Sequence, residues 1–495
     1  MNSLQAPAFR GKEMNERIEN PESLLTDSAL LRASGAPLVP GNRLRILRDA
    51  EENYPEWEAA IRSAEKSIHL EMYIIHNDHT GRRFRDLLTR KAIDGVKVRV
   101  LYDWFGSRSI LGSGMWRPLI RAGGEVRPAN PPKLSSLLGW VRRDHRKLLT
   151  VDSKVAFVSG LCIGDSWVGN PKAGIQPWRD TGVMIHGPAV ADAEDAFEDA
   201  WRLAGGVIPE NEPQDQEMDR EEGQVALRVV AASPETSGLY RLDLLIAAAA
   251  QDYLWLTDAY FLGTSAYIQA LRSAALDGVD VRLLVPHGSD IQWIANLSRT
   301  SYRSLLEAGV RVYEWNGPMV HAKTAVCDGH WARVGSTNLN LASWLGNWEL
   351  DVVIEDEDAA GQITEMYLED LRNSTEIVLT KRNKVRPLQR RTGLKRIRAM
   401  RGSGRSVLIR AVTAGNTVNA AVTGRRELTR AEFPNLFGIG LFFFSVAVAA
   451  YFLPTYFAYG FAAALGITGV FLITIAARLR FFKPKDEERE HEDRE

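Results

Sequence analysis

Two segments of the chain place the same three residues at the same spacing. HRKLLTVD (145–152) and HAKTAVCD (321–328) both read His-x-Lys-x-x-x-x-Asp, and little else is held between them. A buried strand needs only an apolar pattern, so the shared residues ask for a chemical reason. On a strand, residues i and i+2 share a face, which pairs His145 with Lys147 and His321 with Lys323. Asp152 and Asp328 end each strand at a turn, where aspartate bonds local backbone; they belong to the candidate catalytic set and also suit fixing the hairpin. Seven residues past each aspartate comes a small pair, Ser159-Gly160 and Gly335-Ser336, with Asn338 just beyond the second. Small residues admit a ligand close to the backbone, and serine adds a donor. WRDTGVMI (178–185) then aligns with NWELDVVI (347–354), matching Asp180 with Glu349. An acid there can accept from imidazole Nδ1, fixing the tautomer and leaving Nε2 free to attack. Two histidines, two lysines and two acids suit displacement at a phosphodiester phosphorus. One neutral imidazole attacks, and the other, protonated, gives its proton to the leaving alkoxide. The lysines neutralise the phosphate oxygens as charge builds. The scheme requires no metal and no cofactor, and the sequence offers no obvious metal cluster.

The elements around these motifs also repeat. KSIHLEMYII (66–75) and DYLWLTDAYF (252–261) read as strands, each followed by a helical stretch. AIDGVKVRVLYD (92–103) and ALDGVDVRLLVP (275–286) then share Asp-Gly-Val-x-Val-Arg. A helix ends at Asp-Gly, where glycine takes the left-handed cap, and a buried Val-rich strand follows. GGEVRP (123–128) and AGVRVYEW (308–315) give one more short strand each before the motifs. Strand–helix–strand–helix–strand, twice over, predicts an α/β protein of two similar halves covered by helices. The expected division is an irregular arm over 1–45, half 1 over 46–204, an acidic linker over 205–224 and half 2 over 225–380. A basic juxtamembrane region over 381–432, a transmembrane hairpin over 433–480 and a charged, acidic tail over 481–495 complete it.

The hairpin rests on composition. Phe433 to Ala477 contains no charged residue over 45 positions. A bilayer core about 30 Å thick takes roughly 20 apolar residues per helix, so this stretch fits two spans turning near Pro454. Arg425 and Arg426 before it, and Arg478, Arg480, Lys483 and Lys485 after it, put both flanks on the cytoplasmic side. A very apolar helix pair inside a soluble domain is the alternative, but soluble helices of this length show a polar face. Lys381 to Arg405 carries eleven Lys and Arg and no acid, suited to an anionic leaflet or to nucleic acid; its nearness to the hairpin favours the leaflet. Net charge over all 495 residues is −1 and points to no partner. Two cysteines, Cys162 and Cys327, and an N-terminus without an apolar core argue against a secreted disulfide scaffold. The expectation is an inner-membrane, multi-pass protein with its catalytic part and both termini in the cytoplasm.

HRKLLTVDSKVAFVSG, HAKTAVCDGHWARVGSTNLN and NWELDVVI together resemble the phospholipase D superfamily, and within it the bacterial cardiolipin synthases. The resemblance covers about 50–380. It implies two α/β/α halves meeting at one active site, with His145, Lys147, Asp152, His321, Lys323 and Asp328 as the catalytic set. It implies a phosphohistidine intermediate, with His145 as nucleophile and His321 as acid and base. It also implies phosphatidyl transfer between two phosphatidylglycerols, giving cardiolipin and glycerol. Phosphatidylethanolamine as co-substrate stays open, as does a hydrolase that uses water on phospholipid or nucleic acid. The sequence does not fix the oligomeric state. It departs from the family pattern in half 1: Cys162 stands where Asn is usual, and Ser159-Gly160 reverses the order of Gly335-Ser336. His69, His76, His79, His186, His287 and His330 have no counterpart in the other half and read as structural or surface residues. Both cysteines read as small buried hydrophobes. Trp178, Trp344 and Trp348 read as core or as pocket lining.

Overall fold

Repeated Val-rich segments do become paired strands. The computed structural model describes residues 25–131, 142–170, 176–209, 220–379 and 385–388. Half 1 supplies β1 (Val39–Arg48), β2 (Ser67–Met72), β3 (Lys97–Asp103), β4 (Glu125–Ala129), β5 (Lys147–Val151), β6 (Val155–Ser159) and β7 (Thr181–His186). Half 2 supplies β8 (Val225–Ala232), β9 (Tyr253–Thr257), β10 (Asp280–Pro286), β11 (Arg311–Trp315), β12 (Thr324–Cys327), β13 (Trp331–Gly335), β14 (Glu349–Ile354), β15 (Ser374–Leu379) and β16 (Val385–Pro387). Among the described residues they form one sheet, ordered β16-β15-β11-β10-β9-β12-β13-β14-β8-β1-β7-β6-β5-β2-β3-β4. Outward from the central β8–β1 contact, the order β8-β14-β13-β12-β9-β10-β11 repeats β1-β7-β6-β5-β2-β3-β4. In each half two parallel pairs (β2–β3–β4, β9–β10–β11) adjoin an antiparallel motif hairpin (β5–β6, β12–β13).

The shared Asp-Gly-Val ends a helix in both halves. Gly95 and Gly278 sit at φ of 91° and 99°, a region that a side chain would strain. The helices Ala189–Leu203 and Glu357–Arg372 pack into a hydrophobic core built by residues of both halves, among them Leu148, Val183, Trp201, Val326 and Val352. Each half has a second core on its other side. The strands therefore bury both faces, and their lack of alternation follows from that.

Two expected boundaries change. Part of the arm over 1–45 is regular structure. A helix Asp27–Ser34, capped by the Thr26 side chain, leads into β1, which pairs with β7 and β8 and so joins the halves. The Pro40-Gly41 pair and the arginines of VPGNRLRILR obscure a strand that has one half-exposed face. Half 2 continues past residue 380 through β16, which borders β15. The rest of the basic region, the hairpin and the tail lie outside the described residues, as do 210–219 of the acidic linker. No helix among the described residues is long and apolar enough to cross a membrane.

Candidate active site

Each motif histidine precedes a strand of its own half and is tied to the other half. Two isolated parallel bridges, Asp144 to Trp348 and Arg179 to Val320, cross the pseudo-twofold. His145 N–H donates to the Trp348 carbonyl at 2.9 Å, and His321 N–H donates to the Arg179 carbonyl at 2.7 Å. The next residue along each crossing partner is an acid. As a result, His145 Nδ1 donates to Glu349 Oε2 at 2.9 Å, and His321 Nδ1 donates to Asp180 Oδ2 at 2.7 Å. Aligning Asp180 with Glu349 leaves open which imidazole each acid serves. The fold exchanges them, so neither half owns a complete dyad.

The carboxylates differ in their other contacts. Glu349 Oε2 also accepts from Ser336 Oγ at 2.5 Å, and Oε1 accepts from Asn347 at 3.2 Å. Asp180 instead accepts from the Trp167 indole at 3.0 Å and from the Thr181 amide at 2.9 Å. Gly160 is the counterpart of Ser336 and leaves room for this: a Cβ at Gly160 would meet Asp180 Oδ1 at 2.1 Å. Gly335 likewise makes room for Asp351 Oδ1, which a Cβ would meet at 2.1 Å. Both glycines admit a carboxylate, not a ligand as expected from their size. Ser159 bonds the Leu161 amide in its own turn, and Ser336 orients Glu349; both are fully buried. Asn338 Oδ1 is buried without a protein hydrogen-bond partner, and Cys162 fills the matching position of half 1.

Burial dominates the electrostatics. It drives the His145 pKa down to about 4; Glu349 opposes and Lys147 reinforces this. His321 is also held near 4, by burial and then by Lys323, against Asp180. Both imidazoles are therefore neutral near pH 7, with Nε2 a free base. Burial works to raise Asp180 and Glu349, but their histidines and the nearby lysines outweigh it and keep both carboxyls ionised below their usual range. Lys323 is lowered to about 8 by burial, with Lys147 adding to the effect. The field crosses the halves: Lys323 acts on His145, Lys147 acts on His321, and both lysines act on Cys162. Each lysine Nζ donates to the carbonyl of its own motif histidine. Two ammonium groups and two imidazoles thus converge on one small volume, which suits a single phosphodiester anion.

Asp152 and Asp328 do not belong to that volume. Five residues separate Asp152 from Lys147 on an extended strand, roughly 16 Å. The Asp152 carboxylate accepts the amides of Glu65, Lys66 and Ser67 at 2.7–2.8 Å. Asp328 does the same for Gln251, Asp252 and Tyr253 at 2.8–2.9 Å. Both sit at positive φ, 54° and 49°, in the hairpin turn. Their placement among the catalytic residues is corrected: they are positioning residues that staple the motif hairpin to the start of β2 and of β9.

Several neighbours escape sequence reasoning. The Tyr73 ring lies edge-on to His145 at 4.6 Å and beneath the Lys147 ammonium at 5.0 Å. Tyr260 mirrors it, 5.9 Å from both His321 and Lys323. Trp167 and Trp178 flank His321 at 5.6 and 5.5 Å. Trp178 is thus pocket lining, whereas Trp344 is core and donates to Asp243. The Arg146 guanidinium donates to the carbonyls of Glu349, Ala196 and Ala232, locking the His145 segment to β14. Arg179, next to Asp180, is held by Asp370 and Asp49. Tyr73 and Tyr260 do not occupy matched positions, and Ala322 stands opposite Arg146, so comparing the repeats hides them. Among the described residues no group of His, Cys, Asp and Glu could hold a metal ion. His69 stacks on Phe197 and pairs with Glu194, a structural arrangement.

Two segments, 58–201 and 245–371, match the family model described as the cardiolipin synthase, PLD-like domain, and each encloses one motif. The chain belongs to the cardiolipin synthase family of phospholipase D-like proteins. It is 32% identical over 345 residues to the cardiolipin synthase of Alkalihalophilus pseudofirmus, covering 69% of this chain and 68% of that protein. It is 33% identical over 345 residues to the cardiolipin synthase of Geobacillus kaustophilus, with the same coverage. Among solved structures, the phosphatidylserine synthase of Haemophilus influenzae shares the fold at a TM-score of 0.58 and 14% identity, over 71% of this chain and 91% of that one.

Proposed function

We propose that this phosphatidyltransferase of the cardiolipin synthase family joins two phosphatidylglycerols into cardiolipin and releases glycerol. The observation that carries the reading is the pair of exchanged dyads, His145–Glu349 and His321–Asp180, set around Lys147 and Lys323. His145 Nε2 attacks the phosphorus of the first lipid, and the bond from phosphorus to the glycerol oxygen breaks. His321, protonated once the anionic lipid is bound, passes its proton to that oxygen. The phosphatidyl group then rests on His145. Neutral His321 next takes the proton from a hydroxyl of the second phosphatidylglycerol, whose oxygen attacks phosphorus and frees His145. One phosphodiester replaces another, so no nucleotide input is needed. Ser336 and Asn347 orient Glu349, and Trp167 orients Asp180. The walls of Tyr73, Tyr260, Trp167 and Trp178 disfavour water as acceptor.

The uncharged segment 433–477 is read as a two-span hairpin, with the basic run 381–405 on the anionic leaflet, so that the site works at the inner face of the cell membrane. Expression in a host lacking cardiolipin, followed by thin-layer analysis of its lipids, tests the reading. Cardiolipin should appear with the wild type and not with a His145→Ala variant. A well-expressed wild type that yields none, or yields mainly free phosphatidic acid, would sink it, and the second result would favour hydrolysis. Membrane retention of the full chain, lost on deleting 433–480, is the check on the hairpin.

A further inference from the structure

Transfer between two lipids differs from hydrolysis in one chemical respect: the acceptor brings a second phosphodiester anion. Lys147 and Lys323 serve the reacting phosphate, and the second anion needs cationic groups of its own. Half 1 holds such groups at the pocket rim. Phe105, just beyond the end of β3, is 47% exposed despite its size. Two guanidinium groups lie on its ring, Arg143 at 5.0 Å and Arg108 at 5.5 Å. The ring attracts each cation, the two cations repel each other, and an anion bound between them would relieve that repulsion. The acid beside them, Asp103, lies 3.8 Å from Arg143. It sets one carboxylate against two guanidinium groups, and its oxygens also accept the amides of Phe105, Gly106 and Asp144.

This rim adjoins the reacting centre through one ring. Tyr73 touches His145 and Lys147, and Gly106, next to Phe105, packs so close to it that an added Cβ would meet the Tyr73 ring at 2.8 Å. Tyr260 takes the corresponding place beside His321 and Lys323. Half 2 presents the opposite chemistry at its rim. Tyr260 donates its hydroxyl hydrogen to Asp290 at 2.8 Å, and the counterpart of Arg143 is the buried Met319. The duplication is therefore broken where donor and acceptor lipid, which play different parts in the reaction, would enter.

We propose that Arg108 and Arg143, gathered on Phe105, form a second phosphodiester subsite that binds the acceptor lipid while its glycerol reaches across Tyr73 and Tyr260 to the phosphatidyl-enzyme. The inference rests on the transferase reading above. Phosphatidylglycerol vesicles supplied with labelled glycerol separate the two demands. Exchange of label into phosphatidylglycerol uses a neutral acceptor, and cardiolipin formation uses an anionic one. Charge-assisted contacts of this kind carry roughly tenfold to a hundredfold in binding. Arg108→Gln and Arg143→Gln should therefore depress cardiolipin formation at least tenfold more than glycerol exchange, through KM for the lipid acceptor, and Arg143→Lys should restore part of it. Equal loss of both reactions, or loss of neither, overturns the subsite while the transferase reading stands. A wild type that exchanges glycerol but forms no cardiolipin overturns both. Should the variants fail to fold, the wild type still decides: it should transfer phosphatidyl groups to glycerol 3-phosphate in preference to glycerol, and equal use of the two rejects the proposal.

Discussion

Replacing Asp180 by Asn tests the exchange of dyads between halves. The change is nearly isosteric: with its one oxygen at the Oδ2 position the amide still accepts from Trp167, and only the Thr181 N–H, which used Oδ1, loses its acceptor. What disappears is the negative charge 2.7 Å from His321 Nδ1. With charge centres about 4 Å apart and an effective dielectric near 20, the pair is worth about 4 kcal/mol. The amide oxygen still accepts the Nδ1–H bond and recovers a part, leaving a loss of about 3 kcal/mol in imidazolium stability. Each 1.36 kcal/mol is a tenfold change, so cardiolipin formation should fall roughly a hundredfold. Asp180 raises the His321 pKa against burial and Lys323, so its loss lowers a value already near 4 and leaves less of the protonated acid. Anionic lipid carries the wild-type value toward neutrality and the variant's less far, so in the lipid complex the deficit should shrink as the assay pH is lowered from 8 to 5. The assay is single-turnover release of labelled glycerol from phosphatidylglycerol, with lipid binding measured separately. A rate within threefold of wild type, or a large deficit that does not change with pH, would refute the reasoning.

Three further outcomes follow from the same geometry. Asp152→Ala and Asp328→Ala each strip a carboxylate from three backbone amides and should cost about 2–4 kcal/mol of stability. The protein that remains folded at low temperature should keep most of its turnover, and a loss of turnover without a lower melting temperature would return these residues to the catalytic set. Gly160→Ala drives a methyl group into Asp180 and should cost at least tenfold in turnover; a fully active variant would mean that Asp180 need not stand where it does. A phosphodiester anion between the lysines favours the imidazolium, so lipid binding should raise one histidine from about 4 toward neutrality and draw a proton from solvent. Calorimetry of a short-chain phosphatidylglycerol in two buffers of unlike ionisation enthalpy measures this; identical heats would contradict it.

The residues to which the chemistry is assigned were legible because they repeat. His145 and His321, Lys147 and Lys323, and the matched Asp180 and Glu349 stand out against diverged surroundings, and Asp-Gly-Val-x-Val-Arg marks the same helix end and strand in both halves. Their type and order along the chain limit the fold to two like α/β halves and the chemistry to phosphoryl transfer. Sequence comparison could not assign partners across the halves. Which acid meets which imidazole depends on the two parallel bridges, Asp144–Trp348 and Arg179–Val320, contacts between residues far apart in the chain. Nor could residue type separate Asp152 and Asp328 from the reacting groups, because a carboxylate that caps backbone amides and one that orients a histidine read alike. Tyr73, Trp167, Arg108 and Arg143 carry no repeat at all. They gain their meaning from packing, where closing the β8–β1 seam takes two ordinary half-sites out of water and leaves two neutral imidazoles, two buried lysines and an uneven rim around one space.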